Sequence, residues 1–185
     1  MAAPLEETPP AGVDPAAASP VGTGSADAEP RWLSPEERRT WMRLIGLTTL
    51  LPGELEAQLK RDAGLSLFEY HVLAMLSEAE ERTRSMSDLA FWSTSSLSRL
   101  SHVVTRLEKQ GWVRRVACPD DGRATNAVLT DAGVAHLEQH APAHVAEVRR
   151  IIFDGLDEAE VRVMGEALGK ILDRIDPAML RQTET

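Results

Sequence analysis

Between Ser85 and Thr130 the chain carries the pattern of two short helices joined by a tight turn and followed by a basic β-hairpin, a combination that leaves few folds open. Leu97, Leu100, Val104 and Leu107 recur at helical spacing, which predicts an apolar stripe on a helix opened by Ser96 and ended by Gly111. The other face of that helix carries Ser98, Arg99, Ser101, His102, Thr105 and Arg106. Hydroxyls, guanidinium groups and an imidazole on a helix anchored by its back are the donors and acceptors that read base edges and phosphates in a major groove. Met86 to Trp92 reads as the preceding short helix, with Ser85 and Asp88 in capping positions and Ser93-Thr94-Ser95 as the turn. Beyond Gly111, Trp112 to Ala117 and Thr125 to Leu129 are rich in strand formers, and Pro119-Asp120-Asp121-Gly122 between them is turn chemistry. Arg114 and Arg115 lie on the first strand and Arg123 at the tip, where an arginine can enter or follow a neighbouring minor groove.

A formal net charge of −9 at first argues against a polyanionic partner. The charge is unevenly spread: Asp, Glu, Lys and Arg give −5 for residues 1–30, −1 for 31–84, +2 for 85–130 and −5 for 131–185. Only the helix-turn-helix and hairpin segment is positive, so an acidic body steers DNA to that face and repels it elsewhere. Residues 1–31 read as a disordered acidic Ala/Pro-rich tail, too poor in large apolar side chains to offset the cost of ordering, and 181–185 as a short second tail. The N-terminal segment lacks the positive start and apolar core of a secretory signal, and no run approaches the length of a membrane span. The single cysteine, Cys118, excludes an intrachain disulfide and fits a reducing compartment. These features predict a cytoplasmic, nucleoid-associated protein with no membrane contact.

The flanks read as helices. Ser34-Pro35-Glu36-Glu37 combines a capping serine, proline at the first helical position and an acid at the third. Trp41, Leu44, Ile45, Thr48, Leu51, Leu55 and Leu59 then recur at helical spacing to about Asp62, with Pro52-Gly53 expected to kink or break the helix. Ser66-Leu67-Phe68-Glu69 opens a second helix through Leu76, and Glu78 to Arg84 reads as a charged loop. A long helix is expected from Asp131 to about Phe153, and a last one opens at Leu156-Asp157-Glu158 with Val161, Met164, Leu168, Ile171, Leu172 and Ile175 on one stripe. These terminal stripes have no partner inside a small winged unit, so pairing across a two-fold axis is the economical solution, with Leu44, Leu51, Leu168, Ile171, Leu172 and Ile175 as the dimerisation set. The expected fold is mainly α with a small two- or three-stranded wing. It consists of a winged helix-turn-helix over 65–130 and a helical dimerisation domain from 32–64 and 131–180.

The run from Leu107 to Arg115, then Asp121-Gly122-Arg123, then Leu129-Thr130-Asp131-Ala132-Gly133, in that order and spacing, resembles the MarR family of winged-helix transcriptional regulators over roughly Trp32 to Ile175. The resemblance implies a homodimer whose two winged units each read half of a near-palindromic operator in double-stranded DNA. It also implies that Asp121 shapes the wing and Arg123 contacts DNA. The full expected DNA-binding set is Ser96, Ser98, Arg99, Ser101, His102, Thr105, Arg106, Arg114, Arg115, Asp121 and Arg123. Repression by promoter occlusion, relieved by a small aromatic or phenolic effector in the crevice between dimerisation helices and winged unit, is the function the resemblance implies.

Several residues invite other readings. Trp41, Tyr70, His71 and His144 can supply stacking and hydrogen bonds to such an effector, or can simply be core packing residues. His136, His140 and His144, four apart, allow two imidazoles to share a metal; Pro142 between the last two and the lack of a nearby cysteine favour no metal, and no cofactor is expected. Cys118 falls at the wing turn rather than near the first helix, where the resemblance would place a redox-sensing thiol, and is read as a plain wing residue. No Gly-rich phosphate loop, HExxH or GxSxG occurs, so the chain is not expected to be an enzyme. A metal-responsive or ligand-independent regulator, or a winged helix that binds protein instead of DNA, is the alternative.

Overall fold

A computed structural model describes residues 30–118 and 124–178. The chain divides into two compact units, Met1–Trp41 and Met42–Thr185. Its elements are α1 (Pro35–Ala63), α2 (Leu67–Ser77), a 3-10 turn (Glu80–Arg82), β1 (Thr83–Ser85), α3 (Met86–Trp92), α4 (Leu97–Lys109), β2 (Val113–Ala117), β3 (Thr125–Leu129), α5 (Asp131–Val148), a π-helical turn (Arg149–Phe153) and α6 (Glu158–Ile175).

Short-range side-chain chemistry sets most of these boundaries. The Ser34 hydroxyl accepts from Glu37 N while Glu37 Oε2 accepts from Ser34 N, closing a reciprocal box at the head of α1. Ser66 with Glu69 and Asp157 with Glu160 build the same device at α2 and α6. Ser85, Ser96 and Thr130 cap α3, α4 and α5 through their hydroxyls. Gly111, at φ 76°, takes the left-handed conformation that ends α4 and turns the chain into β2.

The sheet is antiparallel with strand order β1-β3-β2. Val113 faces Leu129 and Ala117 faces Thr125 across the hairpin, while Thr83 faces Val128 on the other edge. The third strand corrects the expectation of a loop from Glu78 to Arg84: three polar residues carry no apolar–polar alternation, and β1 forms by pairing along the edge of β3. The core joins Leu59, Leu73 and Leu76 of the long helices to Leu89, Leu100, Val104 and Leu107 of the helix-turn-helix and Leu129 of the sheet.

Three other expectations need correction. Pro52-Gly53 do not break α1, which continues to Ala63; the missing proline N–H leaves one carbonyl without its helical donor, and the rest of the ladder persists. Pro142, whose position suggested a distortion, likewise lies inside an uninterrupted α5, and a π-helical turn carries the helical segment on to Phe153 as expected. Leu97 is not part of the buried stripe, being 52% exposed at the first turn of α4, whereas Leu100, Val104 and Leu107 are buried.

The face expected to pair lies open. No residue of α6 is buried, and Leu168 and Ile171 are each 45% exposed and Ile175 75% exposed. Leu172 is half-buried, as are Leu44 and Leu51 on α1. Among the described residues no helix is long and apolar enough to cross a membrane.

Candidate nucleic-acid interface

Helix α4 is held from behind by Leu100, Val104 and Leu107, and from its two flanks by arginines. On the hairpin flank, Arg115 of β2 pairs with Glu108, its guanidinium donates to Ser101 O (2.8 Å), Ser101 Oγ (3.3 Å) and Thr105 Oγ1 (3.2 Å), and its backbone N–H donates to Glu108 Oε1 at 2.9 Å. Thr105 Oγ1 in turn donates to Ser101 O at 2.9 Å. Arg115, Ser101 and Thr105, expected as DNA contacts, are thus joined into one network that fixes the wing to the helix.

On the opposite flank, two arginines of α4 meet the first turn of α2. The Arg99 guanidinium lies 4.6 Å from the centre of the Phe68 ring, within reach of a cation–π attraction. Arg106 Nη2 lies 3.1 Å from Glu69 Oε1. Glu69 is buried, and its other oxygen accepts from Ser66 N and Ser66 Oγ, each at 2.8 Å. Ser98 and His102 lie exposed on α4, and Arg114 is exposed on β2; among the described residues none of the three has a side-chain partner. Ser96 is exposed and its hydroxyl accepts from Arg99 N. Asp121 and Arg123 lie outside the described residues, as do residues 1–29 and 181–185. Cys118, just before the wing tip, is a free thiol.

The sequence reading missed Phe68, Glu69 and Glu108 as parts of this surface. Glu69 was legible as a cap because its partner is three residues away; its second partner comes from a different helix, and no local pattern signals it.

Of the residues grouped as an effector pocket, Tyr70, His71 and His144 come together. The Tyr70 ring lies 4.3 Å from His144 and 6.4 Å from His71, but Tyr70 and His144 are buried. Gln58 Nε2 donates to Asp62 Oδ2 at 2.8 Å, so Gln58 Oε1 faces His144 and accepts from its Nδ1 at 2.9 Å. Desolvation, then the nearby His71 charge, holds His144 below the ordinary histidine pKa. Trp41 belongs to the other compact unit and is 50% exposed. On the side of α2 that carries His71, a crevice of about 320 Å³ is lined by Phe68, His71, Met75 and Trp92 among others, with Ser93 and Thr94 also in its wall. Desolvation lowers the His71 pKa as well, although the residue keeps an exposed edge.

The histidine series splits two and one: the His136 and His140 rings lie 4.4 Å apart, and His144 stands away from them. His136 stacks on Trp112 with ring centres 3.9 Å apart and donates through Nε2 to Ala63 O at 3.1 Å, while His140 Nδ1 donates to His136 O at 2.8 Å. Desolvation, then the His140 charge, lowers the His136 pKa against the opposing pull of the Ala63 carbonyl. His144 is engaged elsewhere, with Gln58. Among the described residues no group of three or more histidine, cysteine or acidic side chains is placed to hold a metal ion.

Comparison with known proteins bears on this arrangement directly. The family model described as "MarR family" matches residues 65–125, the span from the head of α2 to the wing. Sco3205 from Streptomyces coelicolor, a MarR family transcriptional regulator solved in complex with DNA, is 43% identical, with a TM-score of 0.76 over 80% of this chain and 93% of that one. AbsC, also a MarR family transcriptional regulator from Streptomyces coelicolor, is 38% identical, with a TM-score of 0.74 over 79% of this chain and 98% of that one. The transcriptional repressor IacR of Pseudomonas putida is 28% identical over 170 residues, 86% of this chain and 94% of that protein. With α4 anchored behind, braced by its wing and presenting a polar outer row, the chain belongs to the MarR family of DNA-binding transcriptional regulators.

Proposed function

We propose that this chain works as a homodimeric repressor that occludes a promoter by reading a near-palindromic operator, and that a small aromatic or phenolic effector releases it. The observation that carries the DNA-reading part is the outer row of α4. Ser98 and His102 are exposed and without side-chain partners among the described residues, on a helix fixed along its back and both flanks. A side chain held on a stiff helix discriminates bases because a wrong partner cannot be accommodated by shifting the backbone. In this reading Ser98, His102 and Arg99 face base edges, Arg114 and Ser96 face phosphates, and Asp121 and Arg123 act at the wing tip. Sco3205, described in complex with DNA, supports DNA as the partner.

The winged unit spans 65–130, and 32–64 with 131–180 form the dimerisation part. The exposed stripe of Leu168, Ile171 and Ile175 supports pairing, since contiguous apolar faces of this kind mark interaction surfaces. A two-fold dimer sets two recognition helices about 34 Å apart, one helical turn of B-DNA. The effector's place is the crevice beside α2, where Phe68, Met75 and Trp92 give an apolar wall and His71 a polar group. Such a regulator acts in the cytoplasm, on the nucleoid. Binding of the full chain to the promoter next to its own coding region tests the reading, measured across a salt series. Tight binding that weakens steeply with salt and far exceeds binding to a scrambled duplex is expected; equal affinity for both duplexes overturns it.

A further inference from the structure

Arg106 stands on the DNA-facing helix, yet its guanidinium is 3.1 Å from a carboxylate that is itself 3% exposed. Glu69 has no freedom to leave. Its Oε2 is held by the Ser66 backbone N–H and hydroxyl as part of the α2 capping box, so Oε1 is presented to Arg106 by covalent geometry. A buried carboxylate with one oxygen tied to a helix head is a stationary charge, whereas the arginine is a long side chain that is 67% exposed. In such a pair the mobile partner adopts the position the fixed one dictates. A phosphate approaching Arg106 therefore meets a guanidinium already charge-compensated, with an anion behind it.

This has a specific consequence for recognition. Free lysines and arginines on a DNA-facing surface strengthen binding to every sequence alike, by releasing counterions. We infer that Glu69 is a positioning residue that holds Arg106 out of indiscriminate phosphate binding, so that its carboxylate widens the gap between operator and random DNA. Arg99, whose guanidinium rests over the adjacent Phe68 ring, is restrained by the same helical turn without losing its charge. The inference rests on the DNA-reading function proposed above, and it concerns the margin of discrimination rather than its existence.

Glu69→Gln tests it, because glutamine retains an oxygen for the Ser66 cap while removing the charge facing Arg106. Binding of the full-length variant to the operator and to a scrambled duplex is measured from low to moderate salt. The expected result is tighter binding to the scrambled duplex, a log-log salt slope steeper by about 0.9, and a several-fold fall in the operator-to-random ratio. Adding Arg106→Gln should return the slope to the wild-type value, which loss of packing at position 69 would not do. Arg106→Gln alone gives a second measurement that needs no change at Glu69: a compensated guanidinium contributes well under one unit of slope. An unaltered slope in Glu69→Gln, or a drop of a full 0.9 in Arg106→Gln, overturns the inference while leaving operator binding intact. Absence of any preference for the operator in the wild-type chain overturns the function proposed above as well.

Discussion

Two adjacent arginines on β2 illustrate how position divides one chemistry into two tasks. The Arg115 side chain, 25% exposed, bridges Glu108, Ser101 and Thr105, while Arg114 points from the same strand without a partner among the described residues. Arg115→Ala leaves Glu108 half-buried without its cation, so a loss of about 2 kcal/mol in urea unfolding is expected, along with weaker DNA binding. Arg114→Ala should stay within about 0.5 kcal/mol of the wild type in the same assay and instead flatten the salt dependence of binding by about one log-log unit. Buried His144 and half-buried His136 supply a second residue-level prediction. His144 and His136 are held below the histidine value near 6.5 that the unfolded chain retains. On acidification the unfolded chain therefore takes up protons first, so their contribution to stability is complete above about pH 6.5 and declines as the pH falls toward the folded values. Tm should drop between pH 7.5 and 5.5, and the drop should shrink in His144→Gln, whose amide can still donate to Gln58; an identical drop in that variant would remove His144 from the account.

At the scale of elements, the junction of wing and α5 is tightly packed. A Cβ on Gly133 would stand 2.3 Å from Trp112 O and 2.7 Å from Leu129 Cδ1, so the first turn of α5 lies directly against the base of the hairpin, where Thr130 Oγ1 also donates to Gly111 O at 2.7 Å. Gly133→Ala must push a backbone carbonyl aside, and a cost of about 1–3 kcal/mol is expected in denaturant unfolding; a stability equal to the wild type would show that the helix can withdraw freely. The same junction shows what can be read from a sequence. α3, α4, β2 and β3 are legible because caps, turns and apolar spacing are local signals, and Gly111 marks a turn by its own conformational freedom. β1 is illegible because its pairing is decided by the edge of β3. The exposure of Leu97 and the continuity of α1 through Pro52 escape for a related reason: periodicity gives a residue's face, but neighbours decide whether anything covers it. Among the candidate site residues the sequence supplies chemical type and helical face, while the joining of Arg115, Arg106 and Arg99 to the scaffold depends on contacts between elements distant in the chain.

For the whole molecule, the open face of α6 sets the decisive test. Leu168 and Ile171 are each 45% exposed one turn apart, and replacing both with Asp places two charges where a dimer would bury apolar area. The wild-type chain should sediment as a dimer at micromolar concentration, and the double variant as a folded monomer that no longer binds the operator tightly. A wild-type monomer that binds an isolated half-site tightly would remove the two-fold mechanism. The bracing of α4 by Arg115 on one flank and by the first turn of α2 on the other has a mechanical meaning for such an assembly. A rod gripped along both edges and its back cannot bow or roll by itself, so a ligand cannot retune it side chain by side chain. In the function proposed above, an effector would act by moving recognition helix, hairpin and α2 together as one lever arm instead of by reshaping α4 alone.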